Sequence, residues 1–387
     1  MNPLNPLFAL MVLIIAFITG YILNRKFTKN ENSNRFAEID GLRGFLAISV
    51  FIHHASIWYK YLHTGQWTNP DSILFSHLGI TAVVLFFMIS SFLFVNKLLE
   101  FKGESYDWKN FFMRRFYRLA PLNFFSVAVI IFIVFKESNW IINTDVFTLF
   151  KSTLQWFGFG ILGLDNINNL NTTSLINAGV MWSLSYEWLL YFSLPLVAII
   201  ILKKRPKLFY ILISLSFIII TSLLSDYEMF HVLPFLAGAI APLLLKYLKK
   251  DLDFNSKWFS LIVIATLIIL FQFHPYRSTY THISCIFLTA FAFILIALGN
   301  SIFGLLRMKT LKFLGEISYS TYLLHGIIIY VMINYVYGLE QTKLLSAMAY
   351  CIFIFLTTPI VIIVSFLTYR FVEIPFIKKV QKSKKKL

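Results

Sequence analysis

Apolar runs of about twenty residues recur along this chain, and most are flanked on one side by lysine and arginine. A run of that length matches the hydrocarbon core of a bilayer crossed by an α-helix. Backbone in lipid must satisfy its hydrogen bonds internally. The pattern therefore points to an all-α fold, a polytopic transmembrane helical bundle. Only 13% of the residues are charged and 58% are hydrophobic, whereas soluble domains carry about 25% charged residues.

The runs cover 7–24, 39–59, 78–96, 119–135, 180–202, 208–225, 229–245, 258–273, 282–304, 317–337 and 345–369. A weaker one, 146–164, is interrupted by Lys151, Gly158, Gly160 and Gly163. Cytoplasmic loops collect lysine and arginine. If the linker after the first run is cytoplasmic, the inside segments are 25–38, 97–118, 203–207, 246–257, 307–312 and 370–386. They hold 28 of the 34 basic residues. Outside remain Lys60, Lys136, Lys151, Arg277 and Lys343, and Arg43 lies within a run. If 146–164 crossed, the loop 165–179, which has no basic residue, would be cytoplasmic and every later loop would take the wrong sign. Segment 137–179 is thus expected to be external, with a re-entrant or interfacial apolar part.

The expected layout is about eleven spans, a ten-span core plus one extra N-terminal span. The N-terminus lies outside and the C-terminus in the cytoplasm. Residues 1–34 form the extra helix and linker, 35–377 the core domain, and 378–387 a basic cytoplasmic tail. The first run lacks basic residues before it and an A-x-A-like site after it, so it reads as an uncleaved span. The charge asymmetry accounts for the net charge of +16, so the implied partner is the lipid bilayer and not nucleic acid. Cys285 and Cys351 each sit in an apolar run and form neither a disulfide framework nor a CxxC pair. No metal site is expected, and the oligomeric state is not legible.

Run 39–59 contains Asp40, Arg43, His53 and His54. Ionisable groups within a span are costly and mark function by default. Arg43 and His54 are eleven positions apart, about three helical turns, so they share one face roughly 16 Å apart along the axis. The structural alternative is a snorkelling arginine and a singly bonded histidine, which their common stripe weighs against. Glu187 is the only acidic residue deep within a run, at roughly 10 Å from its outer end, and His54 is at roughly 8 Å from its own. At similar depth the two can meet, and a carboxylate beside an imidazole orients it. An ordinary interhelical hydrogen bond fits the same pair. Ser183, Glu187 and Tyr191 form a polar stripe, as do Ser318, Tyr322 and His325. Either stripe fits a polar cavity or interhelical packing. Arg114, Arg115 and Arg118 precede Pro121 at the inner side; arginine grips phosphate with a planar two-pronged donor set, although positive-inside anchoring also explains them. Together these features suit a long acyl carrier entering from the cytoplasm and a hydroxyl arriving from outside. On physics alone they equally suit a transporter or flippase of glycan or lipid precursors.

Six motifs run in order from 38 to 377. They are Asp40-Gly41-Leu42-Arg43-Gly44 with His54; Phe86-Phe87-Met88-Ile89-Ser90-Ser91-Phe92-Leu93; Arg115 and Arg118 before Pro121; Trp182-Ser183-Leu184-Ser185-Tyr186-Glu187; Gly315 through His325; and Tyr369-Arg370-Phe371-Val372-Glu373-Ile374-Pro375. On these the chain resembles the acyltransferase 3 family of bacterial integral-membrane O-acyltransferases. Two positions depart from the family pattern: Ser91 replaces a glycine, and Trp188 stands where an acidic residue or glutamine often follows Glu187.

The resemblance implies a ten-span core in the bacterial inner membrane and an acyltransferase acting on groups other than amino-acyl groups. Its co-substrate would be cytoplasmic acyl-CoA, acetyl-CoA foremost, with no permanently bound cofactor. The acceptor would be a hydroxyl of a cell-envelope carbohydrate such as lipopolysaccharide O-antigen, capsule or exopolysaccharide, including lipid-linked glycan. On this reading His54 is the general base or a transient acyl carrier, and Glu187 orients it. Arg43 holds the donor or steadies developing charge, and Arg114, Arg115 and Arg118 bind the donor's phosphates. Ser183, Ser185, Tyr322 and His325 are candidates for the substrate pocket.

Overall fold

The computed structural model describes residues 2–27, 36–103, 105–202, 205–224, 228–248, 252–273 and 282–383. The linker over 28–35, the loop residues Lys203, Lys204, Lys249, Lys250 and Arg277, and the tail residues 384–387 lie outside the described residues.

Among the described residues there are helices and turns and no strand. The α-helices are α1 Pro6–Phe27, α2 Ala37–Thr64, α3 Ile73–Leu99, α4 Trp108–Glu137, α5 Val146–Phe157, α6 Thr173–Ile176, α7 Trp182–Ile201 and α8 Leu208–Leu224. They continue with α9 Met229–Leu248, α10 Lys257–Ile268, α11 Ile283–Ala297, α12 Lys309–Glu316, α13 Ser318–Val331, α14 Leu339–Lys343, α15 Ala347–Thr368 and α16 Ile374–Ser383. Six helical stretches are long and apolar enough to cross a membrane: Pro6–Phe27, Ile73–Leu99, Trp108–Glu137, Trp182–Ile201, Ser318–Lys343 and Ala347–Lys379. Four shorter apolar helices accompany them. The chain is thus a multi-pass membrane protein. Helix α2 has 28 residues, enough to cross, but it carries Glu38, Asp40, Arg43 and Lys60 and buries most of its side chains in protein.

The chain packs as two compact units. The first comprises Met1–Phe92 and Phe230–Ser365. Its centre is the crossing of α2 with α12. A Cβ on Gly41 would strike the Leu306 carbonyl, one on Gly44 the Leu311 carbonyl, and one on Gly315 the Asp40 carbonyl. Only glycine lets the two backbones approach this closely, as at small-residue crossings in membranes. Two motifs read separately along the sequence are therefore one contact in space. Near the start of α2, Arg307 donates from Nε and Nη2 to Glu38 Oε1 at 2.6 and 2.5 Å. Helix α2 ends at Gly65, in the left-handed region at φ 70°, whose N–H bonds the Tyr61 carbonyl. Helix α1 belongs to this unit: Phe8 stacks against Phe75 and Phe355, and Gly20 faces Leu314. At Ser91 the close approach is supplied from the other side, because Gly238 of α9 lies against Met88 and Ser91.

The second unit comprises Leu93–Met229 and Phe366–Leu387. Asp107 caps α4 by accepting from the Asn110 N–H at 3.0 Å. The closing motif widens into a π-turn at Tyr369–Glu373 and packs with α16 against α4, where Phe376 stacks on Tyr117. Helices α7 and α8 pair through Phe192 and Phe217, centroids 4.0 Å apart. Helix α5 has 12 residues, roughly 18 Å, too short for a hydrocarbon core of about 30 Å. It turns Ser152, Gln155 and Trp156 inward and leaves Val146, Phe147, Phe150 and Leu154 exposed. That inverted pattern suits a helix whose surroundings are apolar. Trp156 Nε1 donates to the Asp165 carbonyl at 2.9 Å, and Lys151 pairs with the Asp165 carboxylate at 2.9 Å.

Candidate active site

The first unit contains a cluster of three imidazoles. Successive positions on α2 place His53 and His54 on different faces. His53 points toward α3, where its Nδ1 donates to the Phe75 carbonyl at 2.7 Å. Gly79 makes room for its ring, since a Cβ there would fall 2.6 Å from His53 Nε2. His54 points toward α13. Its Nδ1 lies 3.1 Å from the Val50 carbonyl, one turn back, and 2.9 Å from Nε2 of His325. His325 is completely buried, and its Nδ1 lies 3.0 Å from the Thr321 carbonyl. The ring centroids of His54 are 5.0 Å from those of both His53 and His325. Of the three rings only His54 is part-exposed; His53 and His325 are closed off.

Neighbouring candidates behave differently. Tyr322 packs near His325, centroids 6.3 Å apart, and against Phe86. Arg43 is part-exposed on α2, and helical spacing puts it on the His54 face.

The second unit gathers Glu187, Tyr191 and the arginines. Tyr191 Oη donates to Glu187 Oε1 across one turn of α7, which makes the sequence stripe a real contact. Tyr191 is within electrostatic reach of Arg115 and Arg118. The guanidinium of Arg115 lies 5.0 Å over the Phe94 ring, and its solvent-shielded Nε has no hydrogen-bond partner. Arg114 Nε donates to Asn110 at 3.2 Å. Burial pushes the Tyr106 phenol up, and the Arg115 and Arg114 charges offset part of that rise. Ser183 and Ser185 are buried and donate to the Val180 and Trp182 carbonyls at 3.0 and 2.6 Å.

The structure thus joins His54 to His325 in the first unit and Glu187 to Tyr191 in the second. The sequence reading gave the task of orienting His54 to Glu187; the hydrogen bonds on His54 itself come from Val50 and His325. The His54–His325 contact was hidden because the two residues are 271 positions apart and each had an adequate local explanation. Tyr191 carried a signal, its four-residue spacing from Glu187, which named it in a stripe without giving it a role.

A multi-pass helical membrane protein with a hydrogen-bonded imidazole pair is the class that these observations define. The acyltransferase domain model matches residues 36–368, and the chain belongs to that family. It is similar to the O-acetyltransferase OatA of Staphylococcus aureus, with 27% identity over 373 residues, covering 88% of this chain and 57% of the relative. It is also similar to a putative O-acetyltransferase of S. aureus strain COL, with 25% identity over 389 residues, 91% of this chain and 59% of the relative. The chain therefore spans less than two thirds of the length of these curated relatives. No solved structure matches it.

Proposed function

We propose that this protein is a membrane O-acetyltransferase that moves an acetyl group from cytoplasmic acetyl-CoA to a hydroxyl of a cell-envelope carbohydrate. The observation that carries the reading is His54: a part-exposed imidazole, hydrogen-bonded on one nitrogen, within a mostly buried helix of an acyltransferase family member. The relatives' names supply the acetyl group, and the basic loops supply the direction. The fuller topology is a ten-span core plus α1 in a bacterial inner membrane, with the N-terminus outside and the C-terminus in the cytoplasm.

In the reaction His54 takes the proton of the acceptor hydroxyl as its oxygen bonds to the acyl carbon. The carbon–sulfur bond breaks, and the imidazolium returns the proton to the leaving thiolate, giving free CoA. The same ring nitrogen could instead carry the acyl group in two successive transfers. Arg43 steadies the developing negative charge. Arg114, Arg115 and Arg118 grip the donor's phosphates, and the unpartnered Nε of Arg115 supports that role. Tyr191 and Glu187 steady this basic group.

Purified protein supplied with labelled acetyl-CoA and an oligosaccharide acceptor should form labelled ester. His54→Ala should lower that rate by about 10²–10⁴-fold. Wild-type protein that moves glycan across vesicles and forms no ester would make it a transporter, and full activity of His54→Ala would remove the base.

A further inference from the structure

The hydrogen bonds around His54 decide which of its nitrogens does the chemistry. Carbonyl oxygens only accept hydrogen bonds. The Thr321 carbonyl, 3.0 Å from His325 Nδ1, therefore fixes the His325 proton on Nδ1. In a neutral imidazole the other nitrogen is then a bare acceptor. That acceptor, Nε2, lies 2.9 Å from Nδ1 of His54. The Val50 carbonyl, 3.1 Å away, demands a donor at the same His54 nitrogen. Both partners agree: His54 Nδ1 carries the proton and shares it between Val50 and His325. Its Nε2 is left with the lone pair.

We infer that His325 is a positioning residue, whose bare Nε2 holds His54 in the tautomer that presents Nε2 to the acceptor hydroxyl. The inference rests on the reading of His54 as base or acyl carrier, and it serves either, because both need the same bare nitrogen. It differs from a pocket role: a residue acting through Nδ1 of His54 has no need to touch substrate, and His325 is completely buried. Its arrangement follows the logic by which an acceptor on one ring nitrogen fixes the tautomer of a working histidine. His53 cannot substitute, because it is turned toward Phe75 and is closed off.

Three substitutions at one position separate the possibilities. His325→Gln places an amide oxygen near the Nε2 position and keeps an acceptor for His54. His325→Asn places an amide near Nδ1, can keep the Thr321 bond, and offers His54 nothing. His325→Leu removes both. At matched levels of monodisperse protein, His325→Asn and His325→Leu should lose about 10–100-fold in kcat, the scale seen when an orienting partner is removed. KM for acetyl-CoA should stay within about twofold, because donor binding is untouched. His325→Gln should recover most of kcat. Equal loss in all three variants, or no loss in Asn and Leu, overturns the inference. His54→Ala, run alongside, tests the base itself. If it is dead and the His325 series is flat, only the positioning role fails; if it is active, the base reading fails.

Discussion

The imidazole cluster of the first unit and the arginine group of the second solve opposite problems. At His53, His54 and His325 the polar atoms bond to neighbouring backbone carbonyls and to one another, and two of the three rings are sealed from solvent. At Arg114, Arg115 and Arg118 the cations stay part-exposed: Arg114 bonds the Asn110 side chain, Arg115 lies over the Phe94 ring, and Tyr191 is within electrostatic reach of Arg115 and Arg118. The first region has the makings of proton transfer, the second of anion capture. One fold can carry both because proton chemistry needs fixed tautomers, whereas capture of a polyphosphate needs donors left partly unspent.

Kinetics can break that comparison. His54→Ala, as above, should act on kcat. Arg115→Ala should act on the donor: KM for acetyl-CoA should rise about 10–100-fold, as expected for losing a hydrogen bond to a charged group worth about 1.5–3 kcal/mol, while kcat at saturation holds. The difference from wild type should shrink as salt rises, since part-exposed charges are screened. A kcat loss without a KM change would show that the arginine acts in the chemical step, and the division would fall. A smaller effect belongs to Tyr191→Phe. It strips Glu187 of its phenol donor and should raise the same KM by a few-fold, about 1 kcal/mol. An equal fall in kcat alone would instead place Glu187 with the proton machinery.

Much of this was legible in the chain, and the limits have physical causes. The apolar runs foretold the α-helices, since periodicity and length are local properties. Within segment 146–164 the helix α5 has 12 residues, fewer than a bilayer crossing needs. What the sequence could not show was partnership. The glycines of 40–44 and Gly315 were visible as motif letters, but their reason is the close crossing of α2 and α12. Similar depth suggested Glu187 beside His54, and depth alone gave no sign of His325, whose Nε2 lies 2.9 Å from His54 Nδ1. The rotation of α2 and α13 about their own axes brings His325 to His54. The serines of the Trp182 motif are pocket candidates by sequence; Ser183 donates to the Val180 carbonyl just before α7 and Ser185 to the Trp182 carbonyl within it.

The segment around α5 in the second unit offers the gentlest test of the contrast, because its ion pair is exposed where the imidazole contacts are largely shielded. Lys151 and Asp165 form an ion pair with side chains 57% and 52% exposed. The bond from Lys151, aided by Gln155 against a small cost of burial, holds the Asp165 carboxyl below the usual carboxylate range. A carboxyl depressed in the folded state contributes stability above its unfolded value, near 3.9, and loses it as pH falls through the folded one. For a solvated pair the contribution is about 0–1 kcal/mol. Lys151→Ala should therefore speed proteolysis of the segment only modestly at pH 7 and should blunt the further loosening of the wild type near pH 3. Fluorescence of Trp156, bonded to the Asp165 carbonyl, gives an independent readout. A change above about 2 kcal/mol would mean that the pair is shielded from water, and the contrast between exposed ties here and buried ties at His54 would collapse.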